Sequence, residues 1–151
     1  MARRRNGDDG EREGFLEKLI PDALKPEGTS ATKVLTRDHD RVRALFKEYP
    51  EDGKGSGRSK KDIVADLIRE LTIHAKVEEE IFYPAILGRR EAESEKVVRE
   101  SFEEHKIVKT LLEELSRMTP RDDQYDAKVT VLRESVEHHA KEEENELFEE
   151  A

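Results

Sequence analysis

Leu71–Pro84, with the sequence LTIHAKVEEEIFYP, decides the fold, because a similar segment returns near the C-terminus as Val136–Phe148, VEHHAKEEENELF. When His74 is aligned with His139, the Ala-Lys pair that follows each histidine also aligns, at an offset of 65 residues. In both segments a glutamate stands four residues after the histidine. The chain therefore contains one unit twice, and that unit has the form His-x-x-x-Glu.

The spacing inside this unit has a simple meaning on a helix. Residues four apart lie above one another on the same helix face, so an imidazole and a carboxylate point in the same direction and can hold the same ion or adjacent ions. A further histidine precedes each unit, by 35 residues in the first copy and by 34 in the second. The candidate metal ligands are His39, His74, Glu78, His105, His139 and Glu143.

Composition bounds the fold class and the kinds of partner. With 43% charged, 34% hydrophobic and 5% aromatic residues, the 151-residue chain favours amphipathic helices in one domain over a strand-rich fold. The net charge of −9 comes from interleaved acidic and basic residues, which is typical of solvated helix faces and argues against a nucleic-acid partner. The chain has no cysteine, which excludes disulfides, iron–sulfur clusters and zinc sites built from thiolates.

The N-terminal segment differs from the rest of the chain. Residues 1–29 are polar and contain several glycines, which predicts a disordered or partly helical tail before a domain of residues 30–151. Arg3, Arg4 and Arg5 stand close to acidic residues and are interpreted as part of a solvated tail, with contact to a membrane or nucleic acid as the alternative. The sequence has no secretory signal and no run near the ~20 apolar residues of a membrane span. We therefore expect a soluble, cytoplasmic protein.

Apolar residues recur every three or four positions from Ser30 onward, which predicts four helices. Ser59 with Asp62 three residues later has the pattern of a capping box, and Thr119-Pro120 ahead of Asp122 has the pattern of a second helix start. The short connections predict an all-α fold, an antiparallel up-down-up-down four-helix bundle. The predicted helices span about residues 30–49, Ser59 to Gly88, about residues 91–117, and Thr119 onward.

The candidate ligands fall on the apolar stripes of these helices, and the stripes predict where they point. In the second helix the stripe continues past Glu78 through Ile81 and Ala85. Each of the four candidate histidines lies near the middle of its helix, so at ~1.5 Å per residue they should meet at one depth inside the bundle. His138 lies off the stripe among charged residues, so we expect it to face solvent or to support a ligand from outside.

Two carboxylates on core-facing stripes require compensation. An unpaired buried carboxylate is costly, and no lysine or arginine occupies the inner stripes at that level. A metal is the simplest source of the missing positive charge. Imidazole and carboxylate ligands suit iron, manganese or zinc, and the candidates are more numerous than one tetrahedral zinc requires. They fit two metal ions, each with two histidines, bridged by Glu78 and Glu143. The Glu-x-x-His spacing of ferritin-like di-iron proteins is absent, because hydrophobic residues stand three positions before His74, His105 and His139.

These segments resemble a known family. DHDRVRALF around His39, HAKVEEEIFYP at His74, EEHKIVKTLL at His105 and HAKEEENELF at His139 are similar to the haemerythrin-like HHE cation-binding domain, over about residues 30–149. The resemblance implies a four-helix bundle with a non-haem di-iron centre, oxo or hydroxo bridged, in which the candidates named above match ligand positions. Oxygen-carrying haemerythrins have a further histidine four residues after the third-helix ligand, where this chain has Lys109.

The loss of that histidine argues against reversible oxygen carriage. We therefore expect a di-iron protein that reacts with or senses O2, H2O2 or NO, with catalase-like peroxide decomposition or an iron or oxidative-stress role as forms of that activity. The alternatives are a metal-binding sensor without turnover and a bundle stapled by zinc. The expected ligand is a small diatomic molecule or peroxide, iron is favoured over manganese and zinc, and the protein is expected to be a monomer or weak homodimer.

Residues around the two motifs receive structural interpretations. Tyr83, five residues after Glu78, is predicted to pack at the helix end, and the alternative is that it lines or hydrogen-bonds the site. The neighbouring glutamates are predicted to be mostly solvated, with one of them orienting a ligand histidine through its second ring nitrogen. These glutamates are Glu79, Glu80, Glu142 and Glu144.

Overall fold

The computed structural model describes residues 30–50 and 57–148, and this part of the chain is helical throughout apart from its connections. The predicted tail, residues 1–29, lies outside the described residues. Two of the rods end in a turn of π-helix, Glu78–Phe82 and Glu143–Leu147, and the first of these is followed by an α-helical turn, Tyr83–Leu87. The main helices are α1 (Ala31–Glu48), α2 (Lys60–Val77), α3 (Ala92–Ser116) and α4 (Tyr125–Glu142).

The four helices pack in sequence order around one interior. α1 packs on α2, α2 on α3, α3 on α4, and α4 returns to α1. Short connections between neighbours make the rods antiparallel, which confirms the predicted all-α, up-down-up-down four-helix bundle. Among the residues that the structure describes, every helix is too short or too polar to cross a lipid bilayer.

Apolar side chains form two separate cores inside the bundle, and the candidate ligands lie between them. The larger core consists of Val42, Phe46, Tyr49, Ile63, Val64, Leu67, Leu71, Val108, Leu112, Leu115, Tyr125, Val129, Leu132 and Val136. The smaller core consists of Leu35, Phe82, Tyr83, Ile86, Val97, Val98 and Leu147. The polar layer is therefore screened from water at both ends by packed hydrocarbon.

The helix ends agree with the sequence at one site and differ at another. Ser59 caps α2, because its hydroxyl accepts a hydrogen bond from the Asp62 amide at 3.1 Å, which confirms the predicted cap. The predicted start of α4 at Thr119 is wrong, since the helix begins at Tyr125. The Thr119 amide instead donates to the Asp122 carboxylate at 2.7 Å, and the Asp122 amide donates to the Thr119 carbonyl at 2.9 Å. This closed turn competes with helix for the same polar groups.

The π-helical turn after α2 changes which residues face the core. The stripe predicted through Ile81 and Ala85 is wrong, because both residues are exposed. Phe82 and Tyr83 are buried in their place. The Tyr83 amide donates to the carbonyl of Glu78, five residues back instead of four, so the turn contains one extra residue and every later position rotates around the helix axis. Prediction with a constant helical period could not include this shift.

Candidate metal centre

The structure brings all the sequence-predicted ligands together in the middle of the bundle. Each helix contributes one histidine, and the turns that follow α2 and α4 each contribute one glutamate. The two glutamates are 0% exposed and the four histidines are between 4% and 6% exposed. Six polar side chains thus share one interior layer without access to bulk water. They are His39, His74, Glu78, His105, His139 and Glu143.

The histidines form two pairs. In the first pair, the Nε2 atoms of His39 and His74 lie 3.0 Å apart. In the second pair, the Nε2 atoms of His105 and His139 also lie 3.0 Å apart. Within each pair the two rings meet edge to face, with ring centroids separated by 4.7 Å. Two lone pairs that converge at this distance repel each other unless a proton or a cation lies between them.

The glutamates connect the two pairs. Glu78 places Oε1 at 2.7 Å from His74 Nε2 and Oε2 at 3.1 Å from His105 Nε2. Glu143 places Oε2 at 3.4 Å from His39 Nε2 and Oε1 at 3.4 Å from His139 Nε2. Each carboxylate therefore spans from one histidine pair to the other. This is the arrangement that bridging carboxylates require at a site for two metal ions.

Outside this layer, a second ring of carboxylates holds the other nitrogen of each imidazole. His39 Nδ1 lies 2.9 Å from Glu144, and His105 Nδ1 lies 2.8 Å from Glu79. With Nδ1–H donating outward, the Nε2 lone pair of each ring points into the site. The four supports, taken in the order of the helices, are Glu144 for His39, Asp38 for His74, Glu79 for His105 and Glu104 for His139.

This outer ring follows a rule that the sequence only partly revealed. Each helix supports the histidine of the next helix around the bundle, and α4 supports α1. Glu79 and Glu144 were among the glutamates considered from the sequence, whereas Asp38 and Glu104 were not. The signal that could have found them is adjacency, because each outer carboxylate stands next to a candidate ligand in the chain.

Lys109, at the position where oxygen carriers have a histidine, points out of the site. Its Nζ lies 2.6 Å and 2.7 Å from the two oxygens of Glu79, the carboxylate that supports His105. Arg43 does the same in the other half of the molecule, where it contacts Glu144 at 3.0 Å. Lys109 stands four residues after His105 and Arg43 stands four residues after His39, so these cations occupy equivalent places in the repeat.

The pKa values of the buried histidines indicate that the layer needs positive charge. Burial lowers the pKa of His39, but the nearby carboxylates of Glu143, Glu78 and Glu144 outweigh burial and raise it to about 9. The pKa of His74 rises to about 9 against the effect of burial, through Asp38 and Glu78. Without another cation, protons therefore occupy the site at neutral pH.

The other ionisable groups respond in the same sense. Burial lowers the pKa of His139, but Glu104 and Glu78 raise it to about 10. Burial would raise the pKa of Glu78, yet its contacts with the histidines hold it well below the usual value. Burial and the charge of Glu78 raise the pKa of Glu143. Two carboxylates in one buried layer cannot both be ionised without positive charge between them.

Two buried oxygens provide a direct test of whether metal ions fit. Glu78 Oε1 and Glu143 Oε2 accept no hydrogen bond, although both are inaccessible to solvent. Both face the His39–His74 pair. Oxygen and imidazole nitrogen donors for one ion lie within 4.8 Å of one another in each half, and the group in the first half includes both glutamates. The donor set and the unsatisfied oxygens fit a cation in this layer.

Tyr83 contacts the site, which is the alternative to the predicted packing at the helix end. The side chain is 0% exposed, and its hydroxyl lies 3.2 Å from Glu78 Oε2 and 3.2 Å from His105 Nε2. The same hydroxyl donates a hydrogen bond to Glu143. The π-helical turn places Tyr83 beneath Glu78, so a helical wheel with a constant period assigns it to the wrong face.

A small cavity touches the histidine layer from the side of the larger core. Its volume is about 20 Å³. Apart from the four imidazoles its lining is hydrocarbon, namely Val42, Leu71, Ala75, Val108, Val136 and Ala140. A volume of roughly 10–15 Å³ is enough for one water, so the space holds a molecule of a few atoms. The cavity meets the same imidazoles whose nitrogens converge between the glutamates.

His138 lies outside the layer, as its sequence position predicts. Its side chain is 71% exposed, and its Nε2 lies 3.5 Å from Glu104, the carboxylate that supports His139. Glu104, His138 and Glu142 form a further group of potential metal ligands on the surface. Adjacent histidines in the chain thus have different surroundings, and only His139 enters the buried layer.

Comparison with known proteins agrees with this geometry. The model of the Hemerythrin HHE cation binding domain matches residues 17–151. A DNA nickase from Nostoc sp. (strain PCC 7120) is 29% identical over 135 residues, which cover 89% of this chain and 37% of the relative. The chain thus spans little more than a third of that protein. No solved structure matches the chain. With the doubled His-x-x-x-Glu unit and the buried ligand layer, the family match shows that the chain belongs to the Hemerythrin HHE cation binding domain family.

Proposed function

We propose that the domain, residues 30–151, binds two iron ions and reacts with or senses O2, H2O2 or NO. His39 and His74 would hold one ion, and His105 and His139 would hold the other, with Glu78 and Glu143 spanning both. The observation that carries the proposal is the convergence of imidazole nitrogens and spanning carboxylates in one buried layer, with two oxygens that have no hydrogen-bond partner.

The chain's own residues prepare the layer for cations. Outer carboxylates hold the Nδ1–H group of each ring, which fixes the tautomer and increases the basicity of Nε2. Lys109 and Arg43 in turn hold two of those carboxylates in place. The donors therefore need little rearrangement when metal enters, and metal displaces the protons that the histidines otherwise retain.

The donor set favours iron or manganese over a structural zinc ion. A structural zinc site closes with four ligands, whereas this layer offers six side chains arranged as two linked halves. Imidazole together with carboxylate suits iron and manganese, and the sequence contains no thiolate that would favour zinc. Bound iron supplies redox chemistry and Lewis acidity, which the side chains lack by themselves.

The cavity restricts what can react. Its volume of about 20 Å³ and its hydrocarbon lining admit a diatomic molecule or a peroxide and exclude larger organic substrates. Water is disfavoured on that side because the non-histidine lining offers no hydrogen-bond partners. These features support a small, weakly polar ligand at the imidazole face of the site.

A sensor without turnover is the second candidate, and the way the layer joins all four helices favours it. Each imidazole is held by a carboxylate on another helix, so a change at the centre reaches the packing of the whole bundle. The name of the Nostoc relative suggests no third candidate. The chain spans 37% of that protein, and its net charge of −9 opposes binding to a polyphosphate backbone.

The deciding experiment is metal analysis of the purified protein after reconstitution with ferrous iron and exposure to air. We expect two irons per chain, with the near-ultraviolet absorption of a bridged ferric pair. Glu143→Ala should lose both, whereas Glu142→Ala, which alters the partly exposed neighbouring carboxylate, should retain both. Preferential binding of one zinc ion, without iron absorption, would identify a structural staple instead.

Measurement of O2 release from H2O2 then distinguishes an enzyme from a sensor without turnover. Catalytic evolution of O2 from H2O2 by the reconstituted protein would identify an enzyme. A spectral change with NO or O2 that occurs once per site, without continuing turnover, would identify a sensor. A protein that binds two irons and responds to none of these molecules would contradict both.

A further inference from the structure

The hydroxyl of Tyr83 occupies a place in the second half of the site that a metal ligand would occupy. It lies 3.2 Å from His105 Nε2, 3.4 Å from His139 Nε2 and 3.2 Å from Glu78 Oε2. It also donates a hydrogen bond to Glu143. The oxygen therefore lies next to the nitrogens and carboxylates that would bind an ion at His105 and His139, where a further ligand of that ion would lie.

The two halves of the site differ at this point. In the sequence repeat, Tyr83 aligns with Phe148 at the offset of 65 residues. Phe148 has no polar atom, and its ring stacks on His39 with a centroid distance of 5.8 Å and an interplanar angle of 6°. Tyr83 therefore gives the His105–His139 half an oxygen atom that the His39–His74 half does not receive from the equivalent position.

The distribution of unsatisfied atoms follows the same asymmetry. The carboxylate oxygens that face His39 and His74 have no hydrogen-bond partner. The oxygens of the same two carboxylates that face His105 and His139 are both contacted by the Tyr83 hydroxyl. One half of the layer thus lacks an oxygen neighbour where the other half has a phenol.

Backbone and packing fix Tyr83 in this place. Its amide donates to the Glu78 carbonyl in the π-helical turn, so the side chain emerges beneath the bridging carboxylate. Its ring packs edge to face on Phe102, with centroids 5.2 Å apart. The phenol has no freedom to swing into solvent, since the residue is fully buried.

Ser101 provides a neighbour that suits a phenolate. The residue is 1% exposed, and its Oγ has no hydrogen-bond partner of ordinary geometry among the described residues. Ser101 stands four residues before His105 on the same face of α3, and His105 Nε2 lies 3.2 Å from the Tyr83 oxygen. A buried hydroxyl without a partner on this face of α3 can donate a hydrogen bond to the phenol oxygen once that oxygen has lost its proton.

We propose that Tyr83 is a ligand, through its phenolate oxygen, of the metal ion held by His105 and His139, and that Ser101 donates a hydrogen bond to this oxygen. The inference rests on the proposed function, because it requires metal in the layer. On binding, the phenol O–H bond breaks, the metal–oxygen bond forms, and the proton leaves to solvent. The ion held by His39 and His74 has no such ligand, so the two ions are inequivalent.

The test is the absorption and resonance Raman spectrum of the ferric protein. We expect a visible tyrosinate-to-iron charge-transfer band, with enhanced ring vibrations of a coordinated phenolate. Tyr83→Phe should lose the band and the vibrations. It should also weaken the binding of one of the two ions at least about tenfold, since even residues that only hydrogen-bond to a ligand contribute roughly 10–100-fold to metal affinity. Tyr125→Phe is the matched control, because Tyr125 is 1% exposed but lies in the larger core.

Ser101→Ala tests the supporting hydrogen bond separately. We expect the band to persist and to move in energy, because the phenolate oxygen loses a donor while its bond to iron remains. An unchanged band in this variant would remove Ser101 from the inference. If Tyr83→Phe fails to fold, the Ser101 variant and the wild-type Raman spectrum still decide whether a coordinated phenolate exists.

Two outcomes separate this inference from the proposed function. A protein that contains two irons per chain and shows no phenolate vibrations would overturn the role of Tyr83 and leave the di-iron proposal standing. A protein that binds no iron would defeat the proposed function. In that case, a zinc titration followed by ultraviolet difference absorption would still report ionisation of Tyr83, and its absence would overturn the ligand role as well.

Discussion

At the scale of single residues, the outer carboxylates determine how each imidazole presents itself. Glu104 accepts from His139 Nδ1 at 2.7 Å and comes from α3, while His139 comes from α4. The ring is therefore oriented by a helix other than its own. A ligand fixed in this way loses little conformational entropy when it binds metal, because its rotamer and tautomer are already set.

Glu104→Ala should accordingly weaken metal binding although Glu104 is not one of the candidate ligands. We expect affinity to fall about 10–100-fold, the usual effect of removing a carboxylate behind a metal-bound histidine. Competition with a chelator of known affinity measures the change. Glu103→Ala is the control, since Glu103 is exposed and its carboxylate contacts Lys106 on the same helix. Equal affinities in the two variants would contradict this role of the outer ring.

The adjacent histidines provide a second prediction at this scale. His139→Ala should reduce metal content and thermal stability together, because a metal that binds only the folded state stabilises it by about 4 kcal/mol at a thousandfold excess over its dissociation constant. His138→Ala should change neither to a comparable extent, since its side chain is 71% exposed. Elemental analysis and thermal unfolding check both variants. The opposite result would show that the register of α4 is wrong by one residue.

At the scale of the elements, the two π-helical turns are the feature that the sequence did not reveal. Both begin at the glutamate of the His-x-x-x-Glu unit, and in each a backbone amide reaches the carbonyl five residues back. Widening the helix there places residues after the glutamate on the ligand face. In the first turn this brings Tyr83 to the centre, and in the second it brings the equivalent residue, Phe148, against His39.

The register after Glu78 can be tested by paired substitutions. Phe82→Ala should destabilise the fold by about 3–5 kcal/mol, because Phe82 is 6% exposed and packs against Phe148 in the smaller core. Ile81→Ala should stay within about 0.5 kcal/mol, since Ile81 is 39% exposed. Denaturant unfolding of the metal-free forms measures both. A larger loss of unfolding free energy in the Ile81 variant than in the Phe82 variant would show that the α-helical stripe continues without interruption.

Features that depend on residues close together in the sequence could be predicted, whereas features that depend on contacts between helices or on a local change of helix type could not. His74 and Glu78 share a face through local helical spacing, so their convergence was predictable, and the helices themselves follow from apolar periodicity. The position of Tyr83 depends on a shift of one hydrogen bond, which leaves no mark in the periodicity. The supports Asp38 and Glu104 depend on which helix lies beside which, and that is a property of the assembled bundle.

At the scale of the whole molecule, the bundle consists of two apolar cores separated by a charged layer. The layer interrupts the hydrophobic packing, so the stability of the fold depends on how the charges inside it are balanced. Metal ions or protons can provide that balance. The two cases respond differently to pH, because the protons leave as pH rises whereas metal-bound imidazoles are already neutral.

Chelator-treated protein should therefore become less stable as pH rises. The pKa values of His39 and His74 are raised to about 9, and that of His139 to about 10, by neighbouring carboxylates that outweigh the effect of burial. A group whose folded-state pKa is raised stabilises the fold fully below its unfolded value of about 6.5 and loses that contribution as pH rises through the folded value. We expect the free energy of unfolding to fall by a few kcal/mol between pH about 7 and about 9.5.

Denaturant titrations at several pH values measure this free energy of unfolding. Metal-loaded protein is the reference, and its free energy of unfolding should change little over this range. His138→Ala should keep the slope of the metal-free protein, because its exposed ring lies outside the layer. A flat or rising profile for the metal-free protein would mean that its buried imidazoles are neutral without metal, and that the carboxylates between them are balanced in some other way.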